Sequence, residues 1–254
     1  MVLNISILGA SGKMGQRIVK LAKEDTRFKI VCGSIRADED PAYFSSTSNK
    51  LGIPLKTTPE EAMAGCQVAI DFSSIHVTKK HIESAQALNK GLVIGTTGLE
   101  RDALMAIEQA SREIPILYSP NFSLGIALCL EVIKKLARPL FGDCYIDIIE
   151  THHIHKKDSP SGTALSMAKA VGKGELAFNK SDPNRKKEQI IIHSIRSGNV
   201  IGEHTIIFEC GHERIQLTHQ AHTRDAFAKG ALAAAEFIAQ QPPGLYSIKD
   251  LFNS

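Results

Sequence analysis

The stretch Glu150–Ala164, ETHHIHKKDSPSGTA, gathers three histidines, two lysines and two acids within a few residues. A histidine ionises near neutral pH, which makes His152 and His153 natural proton carriers. A lysine such as Lys156 needs neighbouring cations or desolvation to come into the same range. The second half of the stretch has the composition of a helix start. Asp158 or Ser159 can cap it, Pro160 suits its first position, and Ser161, Gly162 and Thr163 follow. The first N–H groups of a helix have no partner inside it and carry partial positive charge, so beside cationic side chains they hold carboxylates. The chemistry on offer is proton transfer next to a bound anion.

Other readings of these residue types are weaker. HHxH resembles metal-ligand spacing, but adjacent histidines on a strand point to opposite faces, and no cysteine or further acid stands where it would complete a site. No metal is expected. His155 is read as a surface or core hydrogen-bonding residue, and His212, His219 and His222 as sheet-end residues. Thr223-Arg224-Asp225 reads as a helix start with Arg224 structural. Cys129 falls in an apolar helix and reads as core packing, which argues against a thiol nucleophile.

A proton donor beside an anion needs a second reactant, and the first half of the chain is built to hold one. Asn4–Leu8 is a short apolar run that stops at Gly9, and Gly9-Ala10-Ser11-Gly12-Lys13-Met14-Gly15 follows. Met14, Ile18, Leu21 and Ala22 then share one face of a helix. Strand, glycine turn and helix in this order form the phosphate-binding start of a Rossmann unit. Phe28–Ile35 reads as the second strand. Where an NAD-binding unit places an acid for the ribose, this chain has Ile35 and Arg36, with no acid before Asp38. A guanidinium there suits a 2′-phosphate, so NADPH is the expected cofactor and NADH a possible one. Residues 37–49 are read as a polar loop.

The strand–helix alternation continues through Asp71-Phe72-Ser73, Gly95-Thr96-Thr97-Gly98 and Ser119-Pro120-Asn121-Phe122, each at the end of a short apolar run. Ligands bind at that edge of an open parallel sheet. After Phe122 the pattern changes to a long apolar helix, 124–140, a strand over 144–149, and the helix that ends the opening stretch near Val171. A polar loop over 172–188 follows, then strands over 189–195, 200–209 and 214–219, read as a meander. A helix over 225–239 and a Pro- and Gly-containing tail close the chain. The expected fold class is α/β: an N-terminal Rossmann dinucleotide-binding domain (1–123, with 232–254 returning to it) and a smaller α+β C-terminal substrate and oligomerisation domain (124–231). A hinge is expected near Ser123 and Ala231.

Hydrophobic residues at 43% and charged residues at 22% describe a soluble globular protein, and a net charge of +3 is too small to call for nucleic acid. Five cysteines, widely spaced and without a CxxC pair, argue against a disulfide framework and for a reducing cytosol. MVLNISILGAS runs straight into a structural motif and is not read as a signal peptide, and no apolar run is long enough to span a membrane.

Taken together, the glycine turn, Asp71-Phe72-Ser73, Gly95–Gly98, Ser119–Ser123 and the whole of Glu150–Ala164 resemble the 4-hydroxy-tetrahydrodipicolinate (dihydrodipicolinate) reductase family over nearly the full length. The resemblance implies NAD(P)H-dependent reduction of a cyclic dicarboxylate with loss of water, in diaminopimelate and lysine biosynthesis. It implies His152 as the acid/base residue and Lys156 as the proton donor. His153, Lys156, Ser161, Gly162 and Thr163 would hold the substrate carboxylates. Gly9, Ala10, Ser11, Gly12, Lys13, Met14, Arg36, Gly95, Thr96, Thr97, Ser119, Pro120, Asn121 and Phe122 would hold the dinucleotide. It also implies a cytoplasmic homotetramer with no membrane or nucleic-acid partner. Against it stand a related two-domain dehydrogenase acting on an amino acid or semialdehyde, and a non-enzymatic dinucleotide sensor, for which the proton donors would be superfluous.

Overall fold

The computed structural model describes residues 2–36, 41–180 and 184–252. The chain divides into two compact units, 1–123 with 225–254, and 124–224.

The first unit is a seven-stranded parallel sheet flanked by helices. Its strands are β1 (Leu3–Leu8), β2 (Phe28–Ser34), β3 (Leu55–Lys56), β4 (Val68–Asp71), β5 (Gly91–Ile94), β6 (Pro115–Tyr118) and β12 (Gly244–Tyr246). Their order is β12-β6-β5-β4-β1-β2-β3, which reverses direction of travel between β1 and β4. This is the Rossmann arrangement, with its ligand crevice at the reversal. The strands are buried on both faces and therefore read as continuous apolar runs. The helices are α1 (Lys13–Glu24), α2 (Pro41–Leu51), α3 (Pro59–Met63), α4 (Ile75–Ala87), α5 (Arg101–Ala110) and α8 (Asp225–Ile238), with a short 3₁₀ turn at Ile248–Phe252.

The second crossing into this unit falls at Asp225, ahead of the expected 232, because α8 packs as a whole against α1, β4, β5 and β6. The Arg17 guanidinium grips the Asp225 carboxylate at 2.6 Å through both oxygens and pins the start of α8 to α1. Within α8, Gly230 presses on the Phe122 carbonyl so closely that a Cβ there would lie 1.8 Å from the oxygen.

Part of the loop expected over 37–49 is helix α2, residues 37–40 being outside the described set. Its serines looked like loop residues. However, no glycine or proline interrupts 42–51, Thr47 and Leu51 are buried one turn apart, and Gly52 at φ +58° ends the helix.

The second unit is a mixed five-stranded sheet covered by α6 (Leu124–Leu140) and α7 (Gly162–Val171). Its strands are β7 (Tyr145–His152), β8 (Glu175–Phe178), β9 (Gln189–Arg196), β10 (Glu203–Glu209) and β11 (Arg214–Gln220), ordered β11-β10-β7-β9-β8. Two expectations are corrected here. The 172–188 segment contains β8, an edge strand parallel to β9. The three later strands are not a meander: β7 lies between β9 and β10, parallel to the first and antiparallel to the second, and only β10 and β11 form a hairpin. β7 is the central strand of the unit and runs three residues beyond the expected Ile149, to His152. Ile146 and Ile148 face a core shared with Ile126, Ile133, Met167, Ile190, Ile192, Ile206 and Phe208.

Cys144 and Cys210 are joined as a disulfide, contrary to the reading of the cysteine spacing as offering none; Cys32, Cys66 and Cys129 are free. The two partners sit at adjacent strand ends, since Tyr145 pairs with Glu209, and that proximity is invisible in their sequence spacing. Among the described residues no helix is long and apolar enough to cross a membrane.

Candidate active site

In the first unit the strand registers place Leu8, Ser34, Asp71, Ile94 and Tyr118 in one row across the sheet. The residues that follow them, Gly9, Ile35, Phe72, Gly95 and Ser119, therefore emerge along a single edge. This is the physical content of the repeated strand-end pattern in the sequence. Gly9 takes φ +79°, and a Cβ there would strike Ser73 Cα at 2.8 Å and the Phe72 oxygen at 3.0 Å. Gly15 lies so near Gly9 that its Cβ would be 2.2 Å from the Gly9 oxygen, so the third glycine serves turn-to-helix packing. Gly12 is the N-cap of α1 and supplies no side-chain cap, which leaves the first-turn N–H groups of α1 for an anion. Lys13 is exposed, and Ser11 and Met14 are half-buried on this turn. Ala10 is buried and its N–H donates to Ser34 at 2.9 Å.

A cavity of about 360 Å³ opens beside the turn, lined by Phe72–His76 and Gly95–Thr97. The Phe72 ring covers Gly95, where a Cβ would come within 2.2 Å of it, and packs on Phe122 at 5.3 Å between centroids. The hydroxyl of Thr96, which lines this cavity, is buried and makes no hydrogen bond among the described residues. A buried hydroxyl without a partner is a group waiting for a ligand, and together with the glycine cradle it fits a dinucleotide. Asp71, wholly buried, accepts from the Ser73 N–H at 2.8 Å and the Ser73 hydroxyl at 2.5 Å, and faces His81 Nδ1 at 3.0 Å, which fixes the turn that Gly9 touches.

Ser119 and Asn121 shape the last loop, the Ser119 hydroxyl donating to the Asn121 carbonyl at 2.7 Å and Asn121 Oδ1 accepting from the Ser123 N–H at 2.8 Å. Pro120 is exposed, whereas Phe122 is 2% exposed, so the Phe122 ring is core. Arg36 is exposed two residues after the end of β2, and Ile35 between them is buried; Asp38 lies outside the described residues.

In the second unit the parity of β7 aims Ile146, Ile148, Glu150 and His152 inward and Asp147, Ile149 and Thr151 to the other face. Glu150 is fully buried, a position a carboxylate occupies only with several partners. One oxygen, Oε2, accepts from His152 Nδ1. The other, Oε1, accepts from Arg196 Nη2 at 2.9 Å and from the Ser161 N–H at 3.3 Å. Arg196 comes from β9, and its Nη2 also donates to the Asp158 carbonyl at 2.6 Å, fastening the 153–161 loop. Burial pushes the Glu150 carboxyl up, but Arg196, Ser194 and His152 outweigh it and hold it below the usual carboxylate range. Burial lowers the His152 imidazole, Lys156 and Arg196 lower it further, and Glu150 opposes them; the net direction is down, which favours the neutral ring at pH 7.

The His204 ring stands edge-on to His152, centroids 5.0 Å apart, and its Nε2 lies 3.0 Å from the Ser161 hydroxyl. Burial and the neighbouring His152 push His204 down to about 3. Ligand-capable atoms of Glu150, His152 and His204 lie within 4.8 Å of one another, and both Glu150 oxygens are already engaged, Oε2 by His152 Nδ1 and Oε1 by Arg196 Nη2.

The helix start differs from expectation. Ser161, not Asp158 or Ser159, is the N-cap, its hydroxyl accepting from the Ala164 N–H at 3.2 Å, and Pro160 precedes the cap. Ser161 is 2% exposed with its hydroxyl engaged on both sides, whereas Gly162 is exposed and Thr163 half-buried. Lys156 is half-buried and pairs with Asp158 at 2.8 Å. The Asp158 carboxyl, pushed up by burial, is drawn down more strongly by Lys156 and the Gly162 N–H beside it. An internal carboxylate thus sits where cation and helix start converge. His153 is half-buried, with its Nδ1 unpartnered among the described residues, while His155 is exposed. Arg224 is half-buried and His212 and His222 are exposed. Cys129, expected in the core, is half-buried on α6, and burial pushes its thiol up, away from the reactive thiolate.

The sequence reading did not single out Glu150, Arg196 or His204. The two-residue spacing of Glu150 and His152 carried the signal for the first; the others required the strand order.

Models of the dihydrodipicolinate reductase N-terminus and C-terminus match residues 3–122 and 125–252. The chain is 40% identical to 4-hydroxy-tetrahydrodipicolinate reductase of Caldanaerobacter subterraneus subsp. tengcongensis, over 99% of this chain and 98% of that one. It is 35% identical to the enzyme of the same name from Syntrophus aciditrophicus, over 98% of each. Among solved structures it resembles dipicolinate-bound dihydrodipicolinate reductase from Paenisporosarcina sp. TG-14, with a TM-score of 0.79, 25% identity, and coverage of 98% and 99%. With both family halves present in order, the chain belongs to the dihydrodipicolinate reductase family.

Proposed function

We propose that the chain reduces 4-hydroxy-tetrahydrodipicolinate to tetrahydrodipicolinate, with loss of water, as an oxidoreductase of diaminopimelate and lysine biosynthesis. The observation that carries the reading is the pairing, in one chain, of a dinucleotide cradle with a neutral buried imidazole beside an anion-binding helix start. A bound nicotinamide dinucleotide supplies the hydride; the chain supplies binding, orientation and protons. Gly9–Met14 holds the pyrophosphate on α1, and Gly95–Thr97 with Ser119–Phe122 flanks the nicotinamide half, Phe122 through its backbone. The exposed Arg36 beside a buried Ile35 supports a preference for NADPH over NADH, since a guanidinium pairs with a 2′-phosphate and isoleucine accepts no ribose hydroxyl.

In the second unit His152 is the acid/base residue and Lys156 the proton donor. A substrate carboxylate takes over Lys156 from Asp158 and meets the N–H groups at Gly162 and Thr163, with His153 alongside. Ser161 contributes as the cap that shapes the turn. The outer face of the C-terminal sheet, with Tyr145, Ile149, Ile195 and Ile207 incompletely covered, supports a homotetramer formed through that sheet. The cytoplasm is the proposed compartment.

The test is turnover of substrate generated in place from pyruvate and aspartate semialdehyde by the preceding synthase, with NADH and with NADPH. His152→Gln and Lys156→Ala lose about 10²-fold or more in kcat with cofactor binding intact, and Arg36→Ala raises KM for NADPH more than for NADH. Full turnover by both site variants would refute the assignment of His152 and Lys156.

A further inference from the structure

Among the described residues Glu150 is the most deeply buried charged group of the second unit, and its partners tie together the residues of the proposed site, with Ser194 of β9 beside them. Toward β7 it meets His152 Nδ1; toward α7, the N–H of the capping Ser161; toward β9, Arg196, which also grips the loop carrying Lys156 and Asp158. A carboxylate accepts but does not donate, so the nitrogen facing Oε2 must carry a hydrogen. That leaves Nε2 of the neutral ring with its lone pair. Nε2 lies beside Gly202, where a Cβ would come within 3.0 Å of it, so the missing side chain keeps that edge of the ring clear. The charged and titratable groups around the ring are Glu150 on its own strand, Arg196 on β9, His204 on β10, and Lys156 and Asp158 in the loop.

We infer that Glu150 is a positioning residue: its buried carboxylate holds the Nδ1–H of His152 so that Nε2 is the nitrogen that takes and gives the proton, and it ties that imidazole to the start of α7 through Ser161. This rests on the acid/base reading of His152. It goes further by fixing the tautomer and by joining the proton-transfer residue to the carboxylate-binding turn through one side chain. Conversion of Glu150 to glutamine keeps the shape but forces a conflict. An amide NH₂ must face either Arg196, donor against donor, or His152 Nδ1, which then becomes an acceptor and drives the ring hydrogen to Nε2.

The experiment is measurement of the ring ¹⁵N shifts of histidine-labelled full-length protein near pH 8, with His152 assigned by the signal lost in His152→Gln, alongside steady-state kinetics. The parent should show His152 as the Nδ1–H tautomer. Glu150→Gln should shift that population toward Nε2–H and lower kcat by about 10²–10⁴-fold, with NADPH affinity unchanged, and Glu150→Asp should recover part of the loss. An Nε2–H tautomer in the parent overturns the inference without recourse to any variant. So does a Glu150→Gln protein with parental tautomer and kcat while His152→Gln is inactive. Full turnover by His152→Gln would instead strike at the acid/base reading itself and remove the kinetic half of the inference.

Discussion

His204 allows the acid stability of the second unit to be worked from one ring. It is 4% exposed on β10, packed against His152 and the cap of α7, and its pKa is pushed to about 3. In the unfolded chain the same ring titrates near 6.5. Above 6.5 it is neutral in both states and contributes no slope. Below 6.5 the unfolded chain binds a proton that the folded ring refuses, and stability falls by about 1.4 kcal/mol per pH unit. The loss is about 3 kcal/mol at pH 4 and about 4 kcal/mol at pH 3, and it levels off towards about 5 kcal/mol below that, where the folded ring is itself protonated. Against a typical domain stability of about 5–15 kcal/mol, this one side chain is a large share of the acid sensitivity.

The perturbation is His204→Gln, which keeps a hydrogen-bonding group toward the Ser161 hydroxyl but cannot take up a proton. The assay is urea-dependent hydrogen exchange of the 203–209 segment, corrected for intrinsic rates, between pH 7 and 4. The variant starts less stable at pH 7 and then loses about 3 kcal/mol less than the parent by pH 4. His152, also depressed, remains in both proteins and leaves a residual slope. Parallel curves for parent and variant would refute the reasoning.

Gly230→Ala places a Cβ 1.8 Å from the Phe122 carbonyl, a backbone atom that cannot step aside, so the first unit should lose about 3 kcal/mol, read from thermal unfolding. Asp158→Asn removes the internal carboxylate that pairs with Lys156, and substrate KM should fall several-fold because the incoming carboxylate no longer displaces a rival; a raised KM speaks against the shared cradle. Reduction of Cys144–Cys210, which closes a 66-residue separation, should lower the urea midpoint of the second unit by the equivalent of at most about 4 kcal/mol, with the first unit unchanged.

The Rossmann half was legible because its signals are local. Each βα turn carries its own glycine or serine pattern, and buried parallel strands are short apolar runs whatever their neighbours. What the sequence could not show there was contact at a distance, such as Arg17 reaching Asp225 to fix where the chain returns. The serine-rich α2 was missed because composition was weighed above the absence of a helix breaker.

The second unit was legible in content but not in order, and the error in order concealed the chemistry. The expected strand stops at Ile149, yet the alternation Ile146, Ile148, Glu150, His152 is unbroken, and an inward carboxylate two residues from an inward histidine is the strand's way of making a pair. A meander of the three later strands would set β9 against β10. That arrangement gives Glu150 no route to both Arg196, 46 residues away, and His204, its antiparallel partner. Only with β7 between them does a guanidinium from one side reach the carboxylate while the His204 ring from the other packs against His152 and the Ser161 cap. Glu150 is therefore the residue through which strand order becomes function: part β7 from β9 and a buried negative charge is left without its cation. The charge that β7 buries is the reason the strand must lie beside β9.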